Sequence, residues 1–258
     1  MDGTAALVAD DHQDSGTSVA VLLHGQPGDA HDWDSVVQRL AGSPWRAIVP
    51  DRLGYGRTGG PAGGFAANAD AVVALLEQLG IGQATLVGHS WAGGVALAAA
   101  LRHPDRVQRL ILVSSVGGPG SVDRLDRILG LPVLGSALTL SGLAALRVSR
   151  LRRLLAPVHA PRDPTALETL PEGWMSSWRS FVTEQRALLD ELPGIAGQLE
   201  EIAPPSVVVI GSVDRVVRPA SQESLALRLG SAVVRVPGGG HLIPREAPDV
   251  VVEAIVGA

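Results

Sequence analysis

Short, nearly continuous apolar runs alternate along the chain with stretches whose apolar positions recur every three or four residues. The runs Val19–Leu23, Ala47–Val49, Thr85–Val87, Leu110–Val113, Val207–Ile210 and Val233–Val236 predict buried strands. Their lack of alternation fits a mainly parallel sheet covered by helices on both faces. Helices are predicted around Asp32–Leu40, Asn68–Leu79, Ala92–Arg102, Ser221–Leu229 and Pro248–Val256. The polar segment Asp10–Gly16 predicts an acidic hairpin joining one or two antiparallel strands at the start.

From Gly117 to Ala203 the rhythm stops, and Pro, Arg and Leu dominate. A structureless loop of that length is implausible within a domain, so the stretch predicts a helical insertion. Trp174, Trp178, Phe181, Leu188 and Leu192 recur at helical spacing, predicting one amphipathic helix from about Trp174 to Leu192. The organisation expected is a core of residues 1–116 and 204–258 with a helical cap over 117–203.

Composition narrows the chemistry. The 258 residues are 46% hydrophobic and 18% charged, which excludes a disordered chain. The net charge of −5 argues against nucleic acid as a partner. There is no cysteine, and all 21 basic residues are arginine. Thiolate chemistry, Schiff-base lysines and a P-loop lysine are thereby excluded. No apolar run approaches the ~18 residues of a membrane span, and the polar N-terminus is unlike a secretory signal. The expectation is a soluble, cytoplasmic protein, monomeric or homodimeric, with no membrane partner.

The strongest chemical signal is the run Thr85-Leu86-Val87-Gly88-His89-Ser90-Trp91-Ala92-Gly93-Gly94. A strand turning sharply into a helix presents a serine hydroxyl, and the residues two before and two after must be small. Gly88 and Ala92 meet that demand. A serine nucleophile needs a base, and the base an orienting acid. Asp214 follows the strand Val207–Ile210, and His241 follows Val233–Val236 through a Gly triplet with no packing purpose visible in the sequence. Both positions lie past C-terminal strand ends, where open α/β sheets carry their sites. Asp214 reads alternatively as a turn initiator or cap, and Asp123 and Asp126 are rival acids.

Five blocks together resemble the α/β-hydrolase superfamily over nearly the whole chain. They are His24-Gly25-Gln26-Pro27-Gly28, Asp51-Arg52-Leu53-Gly54-Tyr55-Gly56-Arg57-Thr58, the Ser90 turn, Asp214-Arg215-Val216-Val217, and His241 with Glu246-Ala247-Pro248. The resemblance implies an α/β-hydrolase fold with the cap inserted after the family's sixth strand. It implies Ser90 as nucleophile, His241 as general base then acid, and Asp214 as its orienter. An oxyanion hole is implied from the backbone N–H groups of Gln26 and Trp91.

Other histidines read as structural. His24 is expected to fix the oxyanion loop, His89 to point away from the site, and His12, His31 and His103 to lie at the surface or in turns. No histidine pair at i, i+4 supports a metal site, and no cofactor is called for. Trp174, Met175 and Trp178 read either as an apolar pocket lining or as cap packing. Arg147 and Arg150 read either as partners of a substrate carboxylate or as snorkelling residues of a half-buried face. The reaction expected is hydrolysis of a small, mostly apolar ester, lactone or thioester. Carbon–carbon bond hydrolysis and lyase or cyclase chemistry on the same fold are the alternatives, with a ligand receptor behind them.

Overall fold

A computed structural model describes residues 6–12, 18–131, 135, 136, 138, 139 and 178–257. Seven strands form one sheet: β1 (Ala9–His12), β2 (Ser18–Leu23), β3 (Trp45–Pro50), β4 (Ala84–His89), β5 (Val107–Val113), β6 (Ser206–Gly211) and β7 (Ala232–Val236). Their spatial order is β1-β3-β2-β4-β5-β6-β7. All neighbouring pairs are parallel except β1 with β3. Each apolar run of the sequence is the interior of a strand, and the strands exceed the runs by one to three residues at an end. β1 pairs with β3, Ala9 opposite Pro50, so β1 and β2 are not neighbours and the expected hairpin is not formed between them. Asp10 and Asp11 belong to an edge strand instead, and Arg46 and Arg57 hold them by ion pairs.

The period of two along each strand divides the core. Val21 and Leu23 of β2, Leu86 of β4, Leu112 of β5 and Val208 and Ile210 of β6 enter one apolar cluster. Ala20, Leu22, Val87, Ile111, Val113, Val207 and Val209 enter the other. Both faces of the inner strands bury aliphatic side chains, at roughly 2 kcal/mol each. The first face is covered by α2 (Phe65–Gln78), α3 (Trp91–Arg102) and α7 (Pro219–Leu229). The second is covered by α1 (Asp34–Leu40), α8 (Ile243–Glu246) and α9 (Pro248–Val256).

The insertion leaves the sheet after β5, the fifth strand among the described residues. Its described elements are α4 (Arg124–Leu129), α5 (Trp178–Asp190) and α6 (Leu192–Gly197). The helix expected from Trp174 to Leu192 is thus seen as α5 and α6, divided at Glu191, where Pro193 opens a new helix. Its buried side includes Ser180, Glu184 and Gln185 as well as Val182, Ala187 and Leu188. Apolar periodicity alone did not mark that side. No helix among the described residues is long and apolar enough to cross a membrane.

Candidate active site

β4 ends at His89, and Ser90 turns the chain into α3 with φ 55° and ψ −121°. A left-handed φ on a residue carrying Cβ costs about 1–3 kcal/mol and persists only where its surroundings hold it. Here the Ser90 N–H donates to Val113 O at 2.9 Å, and Ser90 O accepts from Gly93 N at 3.0 Å and Val116 N at 3.2 Å. The turn also brings strand and helix backbones together: a Cβ on Gly88 would stand 2.6 Å from Ala92 O. The requirement for small residues around the serine is therefore steric and local.

Three side chains from separate loops meet at this turn. Ser90 Oγ lies 2.9 Å from His241 Nε2. His241 Nδ1 donates to Asp214 Oδ2 at 2.9 Å. The second oxygen, Asp214 Oδ1, accepts from the N–H groups of Val216 (2.8 Å) and Val217 (3.1 Å). The turn-forming reading and the histidine-orienting reading of Asp214 are both realised, by different oxygens of one carboxylate. Gln222 of α7, which sequence patterning did not single out, donates its Nε2 to Oδ2 at 3.0 Å. Asp123 and Asp126 form the capping box of α4 and are spent on its first N–H groups.

The Gly triplet before His241 has a local cause that sequence inspection misses: Gly238 holds φ at 70°, and a Cβ on Gly239 would stand 2.8 Å from Val236 Cγ1. A Cβ on Gly211, at the end of β6, would stand 2.0 Å from Gly240 O. The Asp214 and His241 loops therefore touch backbone to backbone. Gly240 N also donates to Glu246 Oε2 at 2.6 Å, fixing the loop from its far side.

His89 does not point away from this cluster. Its ring lies 5.2 Å from that of His241, and its Nε2–H donates to the His241 carbonyl at 2.9 Å. Burial lowers its pKa to about 3, with the neighbouring His241 adding to the effect, so it acts as a neutral donor. His24 is likewise held neutral, chiefly by burial and then by Arg52. Its Nδ1–H donates to Gly25 O at 2.9 Å, and its Nε2 accepts from Arg52 N at 3.0 Å. That is the loop-fixing role expected for it.

The Gly25-Gln26 segment lies against the serine: a Cβ on Gly25 would be 3.2 Å from Ser90 Cβ. The Gln26 side chain donates its Nε2 to Phe181 O at 2.8 Å. Trp91, first residue of α3, has one of the N–H groups that no helical carbonyl reaches. The positive end of the helix dipole adds to it. Trp178 opens α5, with the Arg179 guanidinium 5.3 Å from its ring centroid. Trp174, Arg147 and Arg150 lie outside the described residues. Among the described residues no group of three or more His, Asp or Glu side chains is arranged to hold a metal ion.

Comparison with known proteins agrees with this geometry. A family model described as alpha/beta hydrolase fold matches residues 20–248. The chain is 30% identical over 233 residues to a 2-hydroxy-6-oxononadienedioate/2-hydroxy-6-oxononatrienedioate hydrolase of Burkholderia vietnamiensis, covering 84% of this chain and 77% of that one. It is 42% identical over 120 residues to a 2-hydroxymuconate semialdehyde hydrolase of Pseudomonas sp. strain CF600, a match spanning 44% of this chain and only 42% of that relative. A thermophilic esterase from Thermogutta terrifontis superposes with a TM-score of 0.78 at 25% identity, covering 96% of this chain and 91% of the esterase. The family model spans most of the chain, and the described sheet has seven mostly parallel strands: the chain belongs to the alpha/beta hydrolase fold family.

Proposed function

We propose that this chain is a cytoplasmic serine hydrolase that cleaves a small, mostly apolar ester, lactone or thioester. Its core comprises residues 1–116 and 204–258, and its cap residues 117–203. The observation that carries the reading is the continuous hydrogen-bonded path from Ser90 Oγ through His241 to Asp214. Ser90 Oγ attacks the carbonyl carbon while its proton passes to His241 Nε2. The oxyanion that forms is met by the backbone N–H groups of Gln26 and Trp91. Collapse of the tetrahedral intermediate expels the alcohol or thiol, which takes the proton from His241. Water, deprotonated by His241, then attacks the acyl-Ser90 ester, and collapse releases the acid as His241 returns the proton to Ser90 Oγ.

Asp214 keeps the imidazole proton on Nδ1, so that Nε2 faces the serine as an acceptor. Ser90→Ala is expected to abolish turnover of p-nitrophenyl butyrate and labelling by a fluorophosphonate. Turnover equal to that of the unsubstituted chain would overturn the assignment. A second reading, hydrolysis of a carbon–carbon bond, is favoured by the names of the Burkholderia and Pseudomonas relatives. Faster turnover of 2-hydroxymuconate semialdehyde than of the aryl ester would select it.

A further inference from the structure

Behind the oxyanion loop lies an ion pair that the reaction above does not use. Arg52 and Glu184 are 1% and 0% exposed. Glu184 comes from α5, in the insertion, and Arg52 from the end of β3, in the sheet domain. Arg52 Nη1 donates to Glu184 Oε1, and Tyr55 Oη donates to Glu184 Oε2 at 2.7 Å. The remaining donors of the guanidinium turn toward the oxyanion loop: Nε to His24 O at 2.8 Å and Nη2 to Gly25 O at 2.7 Å. Its central carbon lies 4.6 Å from the Trp91 ring centroid.

The peptide unit explains the consequence. Gly25 O and the Gln26 N–H belong to one planar group and point in opposite directions. Two donors, Arg52 Nη2 and His24 Nδ1, hold Gly25 O, so the direction of the Gln26 N–H is fixed. The other oxyanion donor is anchored to the same helix. Trp91 Nε1 donates to Glu184 O at 3.2 Å, while the Gln26 side chain donates to Phe181 O one turn earlier. Replacing a buried ion pair by apolar residues of like volume is often no worse for stability. Stability alone therefore does not account for this one, whereas a fork that addresses two successive carbonyls does so by geometry.

We propose that Arg52 and Glu184 are positioning residues of the oxyanion hole, through which α5 of the insertion sets the orientation of the Gln26 N–H. The proposal rests on the serine-hydrolase reading. Because the oxyanion exists only in the tetrahedral state, the defect must fall on kcat and leave KM in place. In Arg52→Met, kcat for p-nitrophenyl butyrate is expected to fall about tenfold or more, with KM within about twofold. Inhibition by butylboronic acid, which forms a tetrahedral adduct on Ser90, should weaken by the same factor as kcat. Glu184→Gln should move both quantities in the same direction by less, and Arg52→Lys should not rescue, since one ammonium cannot address both carbonyls and the carboxylate.

Unchanged kcat and boronate affinity in Glu184→Gln, even with a lowered Tm, would overturn the proposal and leave the pair structural. That variant keeps the shape of the cluster and decides the question if Arg52→Met does not fold. Ser90→Ala separates the two levels. If it still turns over the ester, the hydrolase reading fails; if it is dead while Arg52 and Glu184 variants are intact, only the positioning role fails.

Discussion

Asp214 divides its carboxylate between two tasks, and the division makes them separable by substitution. Asp214→Asn retains an oxygen for the Val216 and Val217 N–H groups but offers His241 an amide that favours the wrong tautomer. Turnover is expected to fall by roughly 10⁴, the loss seen when a triad acid elsewhere is so changed. The unfolding free energy should stay within about 1 kcal/mol of the parent. Asp214→Ala should be equally inactive and lose a further ~1–2 kcal/mol as the turn N–H groups lose their acceptor, a difference that urea titration would measure. At this scale the sequence displayed Ser90, His241 and Asp214 because their spacing and strand-end positions are themselves the signal. It did not display Glu184, because a buried carboxylate looks like any surface one until its partner is known, and that partner stands 132 residues away. Burial raises the pKa of Glu184 while Arg52 pulls it back down.

Among elements, the strands were the most legible, since both faces of each inner strand are apolar and the pattern has one reading. The α5 segment was legible as a helix but not as a face, because Ser180 and Glu184 are buried against Gly54, Arg52 and Tyr55 of the sheet domain. Its upstream neighbour residues 140–177 fall outside the described set, so the pocket readings of Trp174, Arg147 and Arg150 stand as sequence expectations. The close contacts at loop ends make an element-scale prediction. Gly211→Val places bulk where Gly240 O stands 2.0 Å from a single Cβ, so β6 and the His241 loop must separate. The cost should reach about 2–3 kcal/mol, and activity should fall further than stability because His241 shifts with its loop. Gly42→Ala, where nothing lies within 4 Å of the added Cβ but φ is +80°, should cost only its backbone strain of about 1 kcal/mol, with activity unchanged.

For the whole molecule, buried neutral imidazoles couple folding to pH. His89 has a pKa lowered from 6.5 to about 3 by burial, and His24 is lowered well below 6.5 for the same reason. Below pH 6.5 the unfolded chain takes up protons at both that the folded chain refuses, so stability is fully present above that pH and drains as pH falls. Each contributes a slope approaching about 1.4 kcal/mol per pH unit. Asp32 acts oppositely: burial raises it from 3.8 to about 6 despite the Arg245 ion pair. It therefore withdraws stability as pH rises through that interval. The two imidazoles set a fall in denaturation midpoint from pH 6.5 to 4.5, which the carboxylates raised by burial, Asp32, Asp126 and Glu184, make shallower. His89→Gln should flatten that slope, and Asp32→Asn should steepen it.

The hydrogen bonds from Gln26 and Trp91 to the carbonyls of α5 bear on how such proteins diversify. A variable insertion is usually imagined as an exchangeable module seated on a constant engine. Here the engine's boundary runs inside the module: a graft that leaves Phe181 and Glu184 in place keeps the carbonyls that hold Gln26 and Trp91, whereas one that runs through residue 190 replaces them. Recombination along this chain is free to redesign the rest of the insertion only while α5 is inherited with the sheet.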